Sequence, residues 1–369
     1  MRDCRCGNRF PGEGQSKQTD SPEDAEELNG TMHRRKGTTT RQRINEIGSK
    51  KSETGNKGLS MNKQTLLKIF AAGMVLLLLG SCGEKKNKAE KVIGVSLQTR
   101  GHVFYRDLEK GLLDEAKKNN YELIITAGEF DLGKQMGQIE DFIVRKVDAI
   151  VLCPTDSRGI GTGIKKANEA GIPVFTADIA AQEGNVVCHI ASDNVAGGRL
   201  AGEYLARALE GKGTVAIINQ PTVTSVLDRV QGFMEVIKKH PGISIVSDVN
   251  GQGMRDKAMQ AAADVLQAHP RLNGVFGIND DSALGTLDAA QQFRRTDLII
   301  VGYDATPPAA DAIRKGTMLK ADVVQFPEKI GMITIQQVKE YFAGNAVPKI
   351  MPVEVGIVDK QALDKMAAQ

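Results

Sequence analysis

The sequence predicts an α/β protein of two doubly wound parallel-sheet domains in tandem, and three observations carry that prediction. From Lys91 onward, short continuous apolar runs alternate with amphipathic stretches, the pattern of strands buried on both faces and covered by helices. The chain holds 39 Gly against no Trp and 4% aromatic residues, a composition suited to many tight strand-to-helix turns. The alternation also runs through twice, once before Asp193 and once after it.

The first series opens with the strand "VIGVSL", a helix from about Phe104 to Asn119 and the strand "YELIIT". It continues with "AIVLC", a helix around "IGTGIKKANEAG", then "IPVFTA" and "VVCHIAS". The second begins with the helix "GGRLAGEYLARAL" and the strand "TVAIIN", followed by a helix over Asp228 to His240 and the strand "SIVSDV". A helix through "KAMQAAADVLQAH", the strand "GVFGIN", a helix from about Ser282, and the strands "LIIVGY" and "LKADVV" complete it.

Length and charge bound what the molecule can do. The 369 residues, 41% hydrophobic and 25% charged, allow two domains of moderate size, and a formal net charge of +3 is too small to argue for nucleic acid or an acidic membrane surface as the main partner. In "MNKQTLLKIFAAGMVLLLLGSC", residues 61 to 82, Lys63 and Lys68 precede an apolar run of roughly 11 residues, where a spanning helix needs about 20. The run closes on Leu79, Gly80, Ser81 and Cys82, which resembles the lipobox of bacterial lipoproteins, with Cys82 as the lipidated first mature residue. Met61 then reads as the true start, residues 1 to 60 as a disordered or spuriously translated segment, and residues 83 to 90 as a polar linker. The stretch "HRRKGTTTRQR" reads as a solvated charge run.

Of the five cysteines, Cys4 and Cys6 lie in the upstream segment and Cys82 is the expected anchor. Cys153 and Cys188 are expected at opposite edges of one sheet, too far apart to bridge, as free thiols.

In open parallel sheets ligands bind beyond the carboxyl ends of the strands, and this rule selects the polar residues worth following. They are Cys153 to Asp156, Asp178, Asn219 and Gln220, Asn279 to Asp281, and Asp304. In "GINDDSALG", Asp280 or Asp281 is expected to cap the following helix, and Asn279, one step earlier, to contact a ligand. Asp304 ends a strand ahead of a Pro-Pro pair. Arg229 falls in the first turn of its expected helix, where a cation opposes the helix dipole and needs another reason to be present. There is no nucleophile elbow, no Walker loop and no histidine pair at metal-ligand spacing, so no enzyme, metal or cofactor is expected.

Several of these stretches carry a family resemblance: "PTDS" at 154–157, "HIASDN" at 189–194, "INDDSALG" at 278–285, "VGYDATP" at 301–307 and "QFPEKIG" at 325–331. From Val92 to about Pro348 the chain resembles the periplasmic type I sugar-binding proteins of ABC importers, their ribose-binding members above all. The resemblance implies two lobes, residues 91–192 with 326–347 and residues 193–325 with 348–369, joined by three crossings near Asp193, Gln325 and Pro348 that close as a hinge. It implies ligand contacts from Asp178, Arg229, Asn279, Asp304 and Gln325, with Phe104 and Tyr105 as aromatic walls. His102 and Cys153 stand where ribose binders carry Asn, Ile179 where they carry Arg, and Met254 lies near where an aromatic would close the stack.

The function this implies is a monomeric, lipid-anchored extracytoplasmic receptor that captures a small neutral sugar or polyol and delivers it to an ABC permease. A sugar-sensing ectodomain without a transport role is the alternative. Such a ligand offers many hydroxyls that donate and accept, which explains why buried strands end in polar side chains.

Overall fold

A computed structural model describes residues 89–367 of the chain. The expected leader, Cys82 and the segment upstream of it lie outside the described residues. The first half folds as β1 (Lys91–Leu97), α1 (Val103–Lys118), β2 (Tyr121–Ala127), α2 (Leu132–Arg145), β3 (Ala149–Leu152), α3 (Gly161–Glu169), β4 (Val174–Ala177) and β5 (Val186–Ser192). The second half repeats the scheme with α4 (Asn194–Ala208), β6 (Lys212–Asn219), α5 (Thr224–Ile237), β7 (Gly242–Asn250), α6 (Arg255–Ala268), β8 (Gly274–Gly277), α7 (Asp280–Gln292), β9 (Ile299–Asp304), α8 (Pro307–Arg314) and β10 (Leu319–Val324). The chain then returns through α9 (Pro327–Phe342) and ends with β11 (Ile350–Val353), β12 (Gly356–Asp359) and α10 (Lys360–Ala367).

Two six-stranded sheets result, ordered β11-β5-β4-β3-β1-β2 and β12-β10-β9-β8-β6-β7. Every pairing is parallel except β10 with β12. The inner strands β3, β4 and β8 are buried at every residue, as continuous apolar runs flanked by helices on both faces must be. The outer strands β2 and β7 are only partly buried. Each sheet with its helices forms one lobe, and apolar clusters fill both faces of each.

The chain passes between the sheets at Asp193, again at Gln325 and Phe326, and a third time at Glu354 and Val355. The third passage departs from the crossing expected near Pro348, because Ile350–Val353 still pairs with β5 of the first sheet before Gly356–Asp359 joins the second. Pro352 is tolerated there because β11 is an edge strand, where a missing N–H breaks no ladder. Cys153 and Cys188 are also closer than expected. The strand order leaves only β4 between β3 and β5, so the two lie roughly 10 Å apart at strand spacing rather than at opposite edges. That is still beyond disulfide reach, and both are buried free thiols.

One helix contact positions the site. Helices α4 and α5 cross at Gly198 and Gly232, where an added Cβ would strike the carbonyl oxygens of Arg229 and Val195. The two backbones touch, and this sets the depth at which α5 carries Arg229.

Candidate functional site

The carboxyl ends of both sheets open onto one cavity. Lobe 1 contributes Gln98 beyond β1, His102, Phe104 and Tyr105 at the start of α1, Phe130 beyond β2, and Asp178 and Ile179 beyond β4. Lobe 2 contributes Gln220 beyond β6, Val223, Ser225, Val226 and Arg229 around the start of α5, Gly253 beyond β7, Ile278 and Asn279 beyond β8, Asp304 at the tip of β9 and Gln325 beyond β10. The lobes are in direct contact beside the cavity. The Ser157 N–H donates to the Thr222 carbonyl (3.1 Å), the Thr224 N–H to Ser157 Oγ (3.0 Å) and the Ala180 N–H to Thr224 Oγ1 (3.0 Å).

On the lobe 1 side, the Tyr105 hydroxyl donates to Asp178 Oδ2 at 2.7 Å, with Gln98 Oε1 at 3.2 Å. Asp178 is buried and its backbone is left-handed, with φ at 64°. Burial pushes its carboxyl up to about 6, although Arg229 and the Tyr105 hydroxyl both favour the anion. Burial, then the Asp178 charge, holds the Tyr105 phenol well above its ordinary value. Asp178 Oδ1 is buried with no hydrogen-bond partner.

On the lobe 2 side, Arg229 is held from three directions. Its Nε donates to Asn194 Oδ1 (2.9 Å), its Nη1 donates to the Ile278 carbonyl (2.7 Å), and its guanidinium lies 3.9 Å from the centre of the Tyr303 ring. Nη1 is 3.8 Å from Asp304 Oδ1, which also accepts from Gln325 Nε2 at 2.6 Å. Gln325 Oε1 is buried without a partner.

His102 joins the two sides. Its Nδ1 accepts the Phe104 N–H at 3.1 Å and so caps α1, which places the proton of the neutral ring on Nε2. Nε2 points across the cleft to Asp304 Oδ2 at 3.3 Å and Asp281 Oδ2 at 4.0 Å. Behind Asp304 lies a second acidic layer. Asp280 Oδ2 accepts from both the N–H and the hydroxyl of Thr306, while Asp322 Oδ1 accepts the Ala305 N–H at 3.3 Å. Burial pushes Asp280 up to about 6 and, with the neighbouring Asp280 carboxyl, drives Asp322 well above the ordinary range.

The structure thus brings His102, Phe104, Tyr105, Asp178, Arg229, Asn279, Asp304 and Gln325 to one cavity. It does not bring Cys153 there. That residue is fully buried just past the carboxyl end of β3, beneath the cavity, where its carbonyl accepts from Gln135 Nε2 (3.0 Å) and burial raises its thiol well above the ordinary value. Two local expectations are also corrected. The cap of α7 is Asn279, whose Oδ1 accepts the Ser282 N–H at 2.8 Å, rather than Asp280 or Asp281, because α7 begins at Asp280, two residues ahead of the start expected at about Ser282. Arg229 is not in a first turn, since α5 begins at Thr224, and the dipole argument lapses. That start has no side-chain cap to betray it, the N-cap being Val223.

Residues that sequence reasoning missed are Gln98, Phe130, Val223, Ser225 and Val226. The strand-tip rule reaches Gln98, which directly follows β1. Nothing in the apolar patterning marks Phe130. Among the described residues no cluster of three or more His, Cys, Asp or Glu could hold a metal ion, and no helix is long and apolar enough to cross a membrane.

Comparison with known proteins places this geometry. Residues 93–346 match the model of the periplasmic binding protein domain. The chain is 33% identical over 274 residues to the ribose import binding protein of Escherichia coli K12, covering 74% of this chain and 92% of that one. It is 35% identical over 265 residues to the ribose import binding protein of Bacillus subtilis 168, covering 71% and 85%. Among solved structures, an ABC transporter solute-binding protein from Agrobacterium vitis with bound α-D-tagatopyranose superposes with a TM-score of 0.72 at 28% identity, over 75% of this chain and 97% of the other.

Proposed function

This chain belongs to the periplasmic binding protein domain family, and from that premise we propose that it is an extracytoplasmic receptor that captures a small neutral sugar or polyol and hands it to an ABC permease. The chain binds and does not catalyse: its relatives are named as import binding proteins, and the buried acids of the cavity are tied to neighbouring donors rather than aimed at a reacting atom.

The observation that carries the reading is the pair of buried acceptors left without donors, Asp178 Oδ1 from lobe 1 and Gln325 Oε1 from the crossing out of lobe 2. A buried acceptor with no donor costs about 1 to 3 kcal/mol, and a ligand hydroxyl supplies the donor to each. Both line the cavity. Apolar surface from Phe104, Ile179, Val223 and Val226 completes the wall, and suits the C–H faces of a carbohydrate ring or chain. Asn279 belongs to this proposal with less freedom than the others, because its oxygen caps α7 and its Nδ2 donates to the Gly253 carbonyl at 3.1 Å.

Binding proceeds by hinge closure about the three crossings, with the Ser157–Thr222–Thr224 contacts formed in the shut state. Lipidation at Cys82 tethers the mature protein to the membrane as a monomer. The cavity is tested by thermal shift and calorimetry of the full chain against D-ribose, D-allose, D-tagatose, xylitol and myo-inositol. A ligand at about 100 times its Kd adds roughly 2.7 kcal/mol of stability; no shift with any of them, and none with a wider set of pentoses and hexoses, defeats the sugar reading. Mass spectrometry of membrane-fractionated protein tests the anchor, which fails if the mature chain begins elsewhere or carries no acyl group.

A further inference from the structure

Three cavities meet at one side chain. Phe130 lines the inner cavity and also lines both outer clefts that flank it, with Met254 of lobe 2 opposite in each outer cleft. The half-buried ring therefore stands between the polar interior and each route to solvent.

The loop that holds it is built for that placement. Glu129 and Phe130 are successive left-handed residues, with φ at 54° and 61°, a conformation that costs energy for any residue bearing a side chain. Glu129 is pinned by the Thr99 hydroxyl at 2.6 Å and the Arg100 N–H at 3.2 Å, and the Phe130 N–H donates to the Gln98 carbonyl at 3.3 Å. These bonds tie the loop after β2 to the loop after β1 and fix the direction of the ring.

Next to Met254, the residue of lobe 2 that lines the inner cavity is a glycine. Gly253 has φ at 67°, and a Cβ there would strike Gln220 Oε1. The aromatic side chains that line the cavity all come from lobe 1.

We infer that Phe130 is a specificity-determining residue of the cavity, which lays its ring on a face of the bound sugar and closes the mouth in the shut state. Phe130 then acts beside Phe104 and Tyr105, all three from lobe 1. Ligand docks on lobe 1 first and gains the hydrogen bonds of Arg229, Asp304 and Gln325 as lobe 2 arrives. Rings are favoured over open-chain polyols, because only a ring presents a flat C–H face to an aromatic. The inference rests on the reading of the cavity as a sugar or polyol site.

Stopped-flow binding and calorimetry on the full chain separate the two claims, with D-ribose, D-allose, D-tagatose, xylitol and myo-inositol as probes. Phe130→Ala is expected to speed dissociation of every bound ring sugar at least tenfold, equivalent to about 1.4 kcal/mol, without slowing association. Phe130→Tyr is expected to restore parent rates, and Phe130→Leu, which blocks the mouth without an aromatic face, to fall between. The preference for D-ribose or D-allose over xylitol should shrink in Phe130→Ala. Parent-like dissociation and preference in Phe130→Ala overturns the inference. A parent chain that binds none of the five overturns the sugar reading itself, and with it this proposal, before any variant is compared.

Discussion

Asp178 and Asp304 are counterparts: one directly follows β4 and the other ends β9, the strands third from the β11 and β12 edges of their sheets. Both have left-handed backbones, with φ at 64° and 121°, and both are buried in the same cavity. Each lobe bends its chain at the same topological point to aim one carboxylate inward. Residues held in such conformations cost of order 1 to 3 kcal/mol each and persist only where surrounding contacts enforce them. Here the Tyr105 hydroxyl enforces one, and Gln325 with the Asp280 N–H the other.

Losing a buried charge-assisted contact costs about 2 to 5 kcal/mol. Arg229→Ala or Asp304→Ala is therefore expected to weaken binding by roughly 30-fold or more. Calorimetry with the sugar identified in the panel checks this. Asn279→Ala should add a loss of about 1 kcal/mol in folding stability, visible in urea melts without ligand, because it also removes the cap of α7.

Asp178→Asn separates binding from stability. The folded carboxyl titrates near 6, above its ordinary 3.8. Its burial thus destabilises the fold once it ionises: the penalty is absent below about pH 4, grows as pH rises through 6, and is complete above. At 1.36 kcal/mol per pH unit the ceiling is about 3 kcal/mol. The Asn variant should be more stable than the parent at pH 7.5, equal to it near pH 3.5, and weaker in sugar binding at both. Urea denaturation across that range measures it, and equal stability at pH 7.5 speaks against the burial argument.

Asp280 Oδ1 and Asp322 Oδ2 are both buried and partnerless while their carboxyls face each other, and one proton held between them satisfies both. Both carboxyls are raised by burial, Asp322 the further because the Asp280 charge adds to it, so stability present at low pH is lost as pH climbs through the folded range of the pair. Asp322→Asn supplies a permanent donor and is expected to remove that loss. A protonated-carboxyl infrared band at neutral pH should be present in the parent and missing in the variant.

Thr224 ties the lobes twice, through its N–H to Ser157 and through its hydroxyl to Ala180. Thr224→Val keeps the first contact and deletes the second. The hydroxyl accepts the Ala180 N–H at 3.0 Å and donates to the Ala180 carbonyl at 3.2 Å, so at about 0.5 to 1.5 kcal/mol for each of the two bonds affinity should fall roughly 5- to 150-fold, mainly through faster dissociation. Small-angle scattering of the saturated protein should still report the shut form, and an expanded one would mean the hydroxyl is required for closure.

The sequence was legible where burial on both faces leaves an unbroken apolar run, which is why β3, β4 and β8 and the polar groups at their tips could be placed in advance. It was opaque where the signal is short or silent. Four-residue strands such as "IMPV", with a proline inside, look like loop, and α5 starts without a capping side chain. The site residues that went unseen were held by tertiary contacts. Phe130 is one aromatic in a polar loop, and only the Glu129 clamp from another loop makes it part of the cavity.

Two short strands late in the described residues complete both lobes. Ile350–Val353 covers the open side of β5 and Gly356–Asp359 that of β10. Without residues 350–359, β5 and β10 become the outermost strands, and each offers for pairing the row of N–H and C=O groups that a short strand otherwise covers. A nascent or C-terminally clipped molecule therefore has two adhesive edges, and a nonsense codon ahead of Ile350 converts a receptor into a seed for aggregation in both halves at once.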